Sequence, residues 1–191
     1  GDKALRHALE GAEDNKKQAI EDLKAINLSN KDILVGIAAS GRTPYTLSAL
    51  AYANSLGTVT GCVVNSPQSP MEQEAKYAIV AESGPEVVTG STRMKAGTAQ
   101  KLVLNMLTTA SMIQIGKVYS NLMVDVQPTN DKLVQRAKNI IAELTGVSPE
   151  EAAESLQTYK TPKAAILALL TSIEGDEVHR LLDKHDRHLK K

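Results

Sequence analysis

The 191-residue chain has no tryptophan, no phenylalanine and only five tyrosines. Its core must be aliphatic, and few side chains are available to stack on nucleotide bases or bare sugar faces. One cysteine, Cys62, excludes an internal disulfide framework. It lies within an apolar run, the setting of a buried structural thiol rather than a nucleophile. The four histidines are scattered, no Cys/His cluster has metal-ligand spacing, and no metal site is expected. Neither sign of charge is in excess: 22 Lys+Arg balance 22 Asp+Glu. That argues against a general nucleic-acid or anionic-membrane binder, though a local basic patch stays open. No run is long and apolar enough to span a bilayer, and the charged start is unlike a signal peptide. These absences lead to the expectation of a soluble, cytoplasmic protein with one ordinary domain and at most a small appendage.

What is present is a regular alternation. Leu5, Ala8, Leu9 and Ala12 recur at helical spacing, so residues 3–24 are expected to be helical. Glu13 borders that apolar stripe, whereas Glu10 and Asp14 point further toward water. Residues 33–38 are apolar throughout and read as a buried parallel strand. Pro44 suits a first helical position, and the helix it opens closes at Gly57. A second strand is expected at 59–64, a helix or loop at 70–76, a third strand at 77–81 and a long helix at 93–116. This order predicts an α/β fold with a parallel sheet flanked by helices. From about residue 130 the pattern is helical only. Leu133, Ala137, Ile140, Ile141 and Leu144 form one stripe, and Ser148-Pro149 with Glu151 signals a fresh helix start. Two further short helices are expected near 162–172 and 176–188. The domains are therefore placed at 1–130 and 131–191, the second a small three-helix domain. The basic end, 185–191, reads as a solvated tail.

Two loops carry the chemistry. The first, Ala39-Ser40-Gly41-Arg42-Thr43, leaves the carboxyl end of a strand and opens a helix, where open α/β sheets bind ligands. Gly41 permits close backbone approach, Ser40 and Thr43 offer hydroxyls, and Arg42 pairs with phosphate or stays in solvent. Helix capping by Ser40 is the plain alternative. The second, GPEVVTGSTRMKAGTAQKLVLN at 84–105, repeats the arrangement with Glu86, Ser91 and Thr92 before a long helix. Unpaired N–H groups and a positive dipole end make such starts receptive to oxyanions. Arg93 and Lys95 stand where cations are disfavoured, which calls for an anion or a partner carboxylate nearby.

With EGAED at 10–14, GIAASGRTPY at 36–45, the long 84–102 run and GKVY…NLMVD at 116–125, the chain resembles the N-acetylmuramic acid 6-phosphate etherase family of sugar isomerase (SIS) domain proteins. The resemblance covers essentially the whole chain. It implies a partial SIS domain of flavodoxin-like type and a C-terminal domain likened to ubiquitin-associated folds. It also implies on the order of a hundred further residues at the N-terminus, sized against ordinary domains. These would hold a first strand, a phosphate loop and a second catalytic glutamate, so the 191 residues alone are expected to have little activity. The implied reaction cleaves the lactyl ether with water, giving N-acetylglucosamine 6-phosphate and D-lactate with two carboxylates and no cofactor. By motif, Glu13 is the acid/base. Ser40, Gly41, Arg42, Thr43, Glu86, Ser91, Thr92 and Lys95 are the substrate-binding set. The implied partner is a small sugar phosphate, and the implied assembly is a homodimer with sites at its interface. A second reading is a non-catalytic sugar-phosphate sensor of the glucokinase regulatory protein type. Glu13 within EGAED favours the enzyme, since a sensor needs no acid/base there. An aldose–ketose isomerase fits the GSTRMKAGTAQ run less well.

Overall fold

The computed structural model describes residues 2–189, and the chain divides into compact units of residues 1–106 and 107–191. The division falls within a long helix.

The first unit carries α1 (Lys16–Ala25), β1 (Ile33–Ala38), α2 (Pro44–Ser55), β2 (Val59–Val64), α3 (Pro70–Glu74) and β3 (Tyr77–Val80). The strands form a parallel sheet in the order β1-β2-β3, with Ile33 opposite Val59 and Gly61 opposite Tyr77. One face is closed by helices. Leu34, Ala38, Cys62, Val64 and Val80 pack with Leu50 of α2 and Met71 of α3. Burying a side chain of that size stabilises by roughly 1.5–3 kcal/mol, so this layer holds the unit together. Gly36 lets the layer close. A Cβ there would lie 2.8 Å from Thr46 Cγ2 and 3.0 Å from Met71 Cε. Cys62 is 1% exposed, as expected of a structural thiol, and burial pushes its pKa up. α1 packs on α2 through Ala19, Leu23 and Ala49.

Two expectations are corrected in this unit. Residues 3–24 do not form one helix. Short 3-10 turns at Asp2–Leu5 and Ala12–Asp14 precede α1. Gly11 takes a left-handed conformation (φ 73°), and Asn15 caps α1 by accepting from the Gln18 N–H at 3.0 Å. Each ends a continuous helix locally, and Leu5 and Leu9 are left exposed. Nor is β1 buried on both sides. Ile33, Val35 and Ile37, with Tyr77 and Ile79 of β3, lie on the sheet's other face and are exposed, because α2 and α3 cover one side alone.

α4 spans Lys95–Gln114, beginning two residues later than the 93–116 expectation. In the second unit, β4 (Val118–Tyr119) and β5 (Leu122–Met123) form a short antiparallel hairpin that the apolar pattern did not announce. α5 (Asp131–Thr145), α6 (Pro149–Tyr159) and α7 (Pro162–Thr171) pack mutually around Ile141, Ala152 and Ile166. α8 (Asp176–Lys184) adds Val178 and Leu182 against α7. Ser148 caps α6 by accepting from the Glu151 N–H at 3.1 Å, as its helix-start pattern requires. The solvated-tail expectation for 185–191 is corrected through residue 189: Leu189 packs against both apolar clusters and the His188 ring sits against Gly116. Lys190 and Lys191 lie outside the described residues.

Candidate active site

Parallel strands send their carboxyl ends to one edge. The loop after β1, with Ser40, and the loop after β3, with Glu86 and Ser91, therefore leave from the same edge. Asn65, at the end of β2, ties them. Its backbone N–H donates to the Ala39 carbonyl at 2.9 Å, and its side-chain amide donates to the Ala81 carbonyl at 2.7 Å. Its Oδ1 accepts from Gln100 of α4 at 2.9 Å. The sequence pattern does not single out Asn65 as a tie between the loops. The missed signal was an amide side chain placed directly after β2, a mostly apolar strand.

The loop 39–43 is shaped by Gly41. It is buried, has φ 64°, and a Cβ there would stand 2.3 Å from Ser69 Oγ. Its carbonyl accepts from the Met71 N–H at 3.1 Å. The close approach expected of this glycine is thus to Ser69. Ser40 does not cap α2. Its Oγ accepts from the Arg42 N–H at 3.3 Å, while Thr43 holds the cap position and makes no side-chain cap bond. The contrast is sharp with α1, α3, α5, α6 and α7, whose starts are capped by Asn15, Ser69, Asn130, Ser148 and Thr161. Arg42 is exposed.

The loop 81–94 is built differently. Glu86 accepts from the N–H groups of Lys95 and Ala96, each at 3.1 Å, and Lys95 Nζ donates to the Pro85 carbonyl at 2.8 Å. The anion answering the positive start of α4 is this glutamate from the chain itself. Ser91 is half-buried, Thr92 exposed, and the Thr92 carbonyl accepts from Gly97 at 2.9 Å.

Glu13 lines a cavity of about 600 Å³ with Leu9, Ala12, Gln18, Asp22 and Tyr45. Among the described residues no hydrogen bond or ion pair holds its carboxylate. Across the cavity, Asp22 accepts from the Tyr45 hydroxyl at 2.7 Å and from Gln18 Nε2 at 2.8 Å. The Tyr45 bond, then the Gln18 bond, holds the Asp22 carboxyl below its ordinary value, and the same partner pushes the Tyr45 phenol up. The 3-10 turn of Glu13 packs against α2, so Glu13 and the loop 39–43 are connected through one helix. Ser91 and Thr92 join them only through the shared sheet edge.

In the second unit Asp125 pairs with Lys117 and lies 3.5 Å from the buried Lys163. Burial raises the Asp125 pKa, but the Lys117 hydrogen bond and the charges of Lys163 and Lys117 outweigh it, and the net shift is downward. Burial lowers Lys163, and the single carboxylate offsets this only in part. The trio fastens the hairpin to α7. Among the described residues no group of His, Cys, Asp and Glu side chains could hold a metal.

Two family profiles match the sequence: "Glucokinase regulatory protein N-terminal SIS domain" over residues 1–54 and "C-terminal lid domain of glucokinase regulatory protein" over residues 120–164. Curated relatives match over nearly the whole chain. A protein of Photorhabdus laumondii is 53% identical over 97% of this chain and 62% of its own length. One of Actinobacillus pleuropneumoniae is 53% identical over 100% and 63%, and one of Francisella tularensis subsp. novicida 51% over 100% and 65%. All three are named N-acetylmuramic acid 6-phosphate etherase. A solved structure from Bacillus subtilis, described as a phosphosugar isomerase, covers 74% of this chain and 39% of its own at 21% identity and a TM-score of 0.37. The chain spans 62–65% of the length of these curated relatives, and over nearly its whole length it is similar to the N-acetylmuramic acid 6-phosphate etherase family.

Proposed function

We propose that this chain carries one catalytic glutamate and the sugar-phosphate loops of an N-acetylmuramic acid 6-phosphate etherase. The observation that carries this is Glu13: an unengaged carboxylate facing a 600 Å³ cavity, on a turn packed against the helix that the loop 39–43 opens. In the reaction, removal of the C2 proton expels D-lactate from C3 as its oxygen is protonated. Water then adds at C3, and the proton returns to C2. Glu13 serves as acid/base in the water-addition half, where a carboxylate within reach of one water suffices.

The uncapped start of α2 is the better phosphate seat, with Ser40, Thr43 and exposed Arg42 around it. Gly41 shapes that loop, and Ser91 and Thr92 meet the sugar. Glu86 and Lys95 act on substrate only by holding the second loop in place. The chain divides into domains at 1–130 and 131–191 and works as a cytoplasmic homodimer, with the site residues in the first domain. Exposed Leu102 and Met106 on α4 supply an apolar surface for the second copy.

The test is D-lactate release from N-acetylmuramic acid 6-phosphate, by the 191-residue chain and by a version carried to the length of its relatives. Release by the longer version is expected. Saturable sugar-phosphate binding without any lactate would favour the sensor reading, which the names of the two matching profiles support, and would overturn the enzyme.

A further inference from the structure

We infer that the Tyr45–Asp22 hydrogen bond fixes Glu13 relative to the loop 39–43, making Tyr45 and Asp22 positioning residues. The inference rests on the reaction proposed above.

Tyr45 is the second residue of α2 and follows the loop directly. Its hydroxyl donates to Asp22 of α1 at 2.7 Å, within the short range of charge-assisted O–H···O⁻ bonds. The other Asp22 oxygen accepts from Gln18 Nε2 at 2.8 Å. The Gln18 backbone N–H is the one that Asn15 caps, at 3.0 Å, two residues beyond Glu13. A continuous set of bonds therefore runs from the phosphate loop through Tyr45, Asp22, Gln18 and Asn15 to the turn of Glu13. Tyr45 and Asp22 line the same cavity as Glu13, so the set passes along the cavity wall. A second tie between the helices, Ser48 Oγ donating to the Lys16 carbonyl at 2.9 Å, lies outside that lining and holds α1 and α2 together independently. Because Asp22 is exposed, the Tyr45 bond contributes little to stability. Its effect is geometric: misplacing a catalytic group by about 1 Å costs up to a hundredfold in rate.

The experiment has two arms. In the longer version, Tyr45→Phe should lower kcat about tenfold, with KM and Tm nearly unchanged. Asp22→Ala should do the same, and the double variant should be no worse than the worse single, since the two act as one unit. Ser48→Ala should retain kcat. An unchanged kcat in Tyr45→Phe, a loss confined to KM, or additive losses would overturn the inference. In the 191-residue chain, amide hydrogen exchange of residues 11–18 should quicken in Tyr45→Phe and not in Ser55→Ala, which removes an unrelated hydroxyl at the end of α2. Unchanged exchange overturns the inference whatever the activity. Faster exchange in a protein that releases no lactate would leave the positioning intact and fault the proposed reaction instead.

Discussion

Two helices begin at the same edge of the sheet, α2 after residues 39–43 and α4 after residues 81–94, and their first turns are answered differently. At α4, Glu86 places both carboxylate oxygens on the N–H groups of Lys95 and Ala96. Two otherwise unpaired donors and the positive dipole end are satisfied from within the chain. At α2, Thr43 occupies the cap position without making a cap bond, and Ser40 bends back to Arg42. One start is closed by an internal anion; the other keeps its donors for something else. Both loops have the glycine and hydroxyl composition of an oxyanion site, so composition alone does not separate a stabilising helix start from a binding one. The carboxylate is what separates the two starts in the structure.

The largest expected effect compares two glutamates across that divide. In the longer version of the protein, Glu13→Gln should lower kcat at least about a hundredfold, or roughly 2.7 kcal/mol in the barrier. Glu86→Ala should leave kcat within a few fold, because its carboxylate is engaged with backbone. Steady-state lactate release measures both. Equal losses would erase the distinction between an acting and a capping carboxylate.

Gly41→Ala tests whether the open start depends on its loop shape. A left-handed alanine costs about 1–2 kcal/mol, and the new Cβ would collide with Ser69. Destabilisation of about 2 kcal/mol or more is expected in urea unfolding. Ser69→Gly in the same chain should recover part of it, since glycine is tolerated at a helix cap with a loss of only a few tenths of a kcal/mol. No recovery would show that the strain, and not the contact, dominates.

Much of this arrangement was legible before the structure. The strands announced themselves as apolar runs bounded by Gly, Pro and Asn, and Ser40 and Ser91 fell at one edge because parallel order requires it. The cations at 93 and 95 called for an anion or a carboxylate, and Glu86 supplies the carboxylate. What stayed hidden is non-local or too short. Glu86 lies nine residues before Lys95, outside the reach of local capping patterns. Asn65 acts through partners at Ala39, Ala81 and Gln100 that only the folded sheet gathers. The hairpin strands at 118–123 have two residues each, too few to show a period. The break at Gly11 was masked by four apolar residues at helical spacing, which outweighed one glycine. The open face of β1 was misread because an apolar strand has the same sequence whether one side or both are covered.

Glu86→Ala should cost about 1 kcal/mol, the usual worth of a lost helix-start acceptor, seen as a Tm lower by about 2–4 °C. A loss above about 3 kcal/mol would mean that the whole loop 81–94 had come loose rather than that a cap was missing.

The smallest stability change is the most discriminating, because it installs at α2 what α4 already has. Thr43→Asp puts a carboxylate at the open cap position, where it can accept from the first-turn N–H groups and complement the dipole. Aspartate exceeds threonine there by a few tenths of a kcal/mol, and its charge adds about 0.3–1 kcal/mol at low salt. Thermal unfolding should therefore shift upward by a degree or two, and less at high ionic strength. The same change should weaken binding of a phosphate-bearing sugar by on the order of tenfold or more, since the internal anion takes the donors and repels the ligand. Calorimetric titration with the sugar phosphate and with the unphosphorylated sugar separates the two effects, because only the phosphate-dependent part should fall. A gain in stability with phosphate affinity intact would place the phosphate elsewhere, and the difference between the two helix starts would then be one of stability alone.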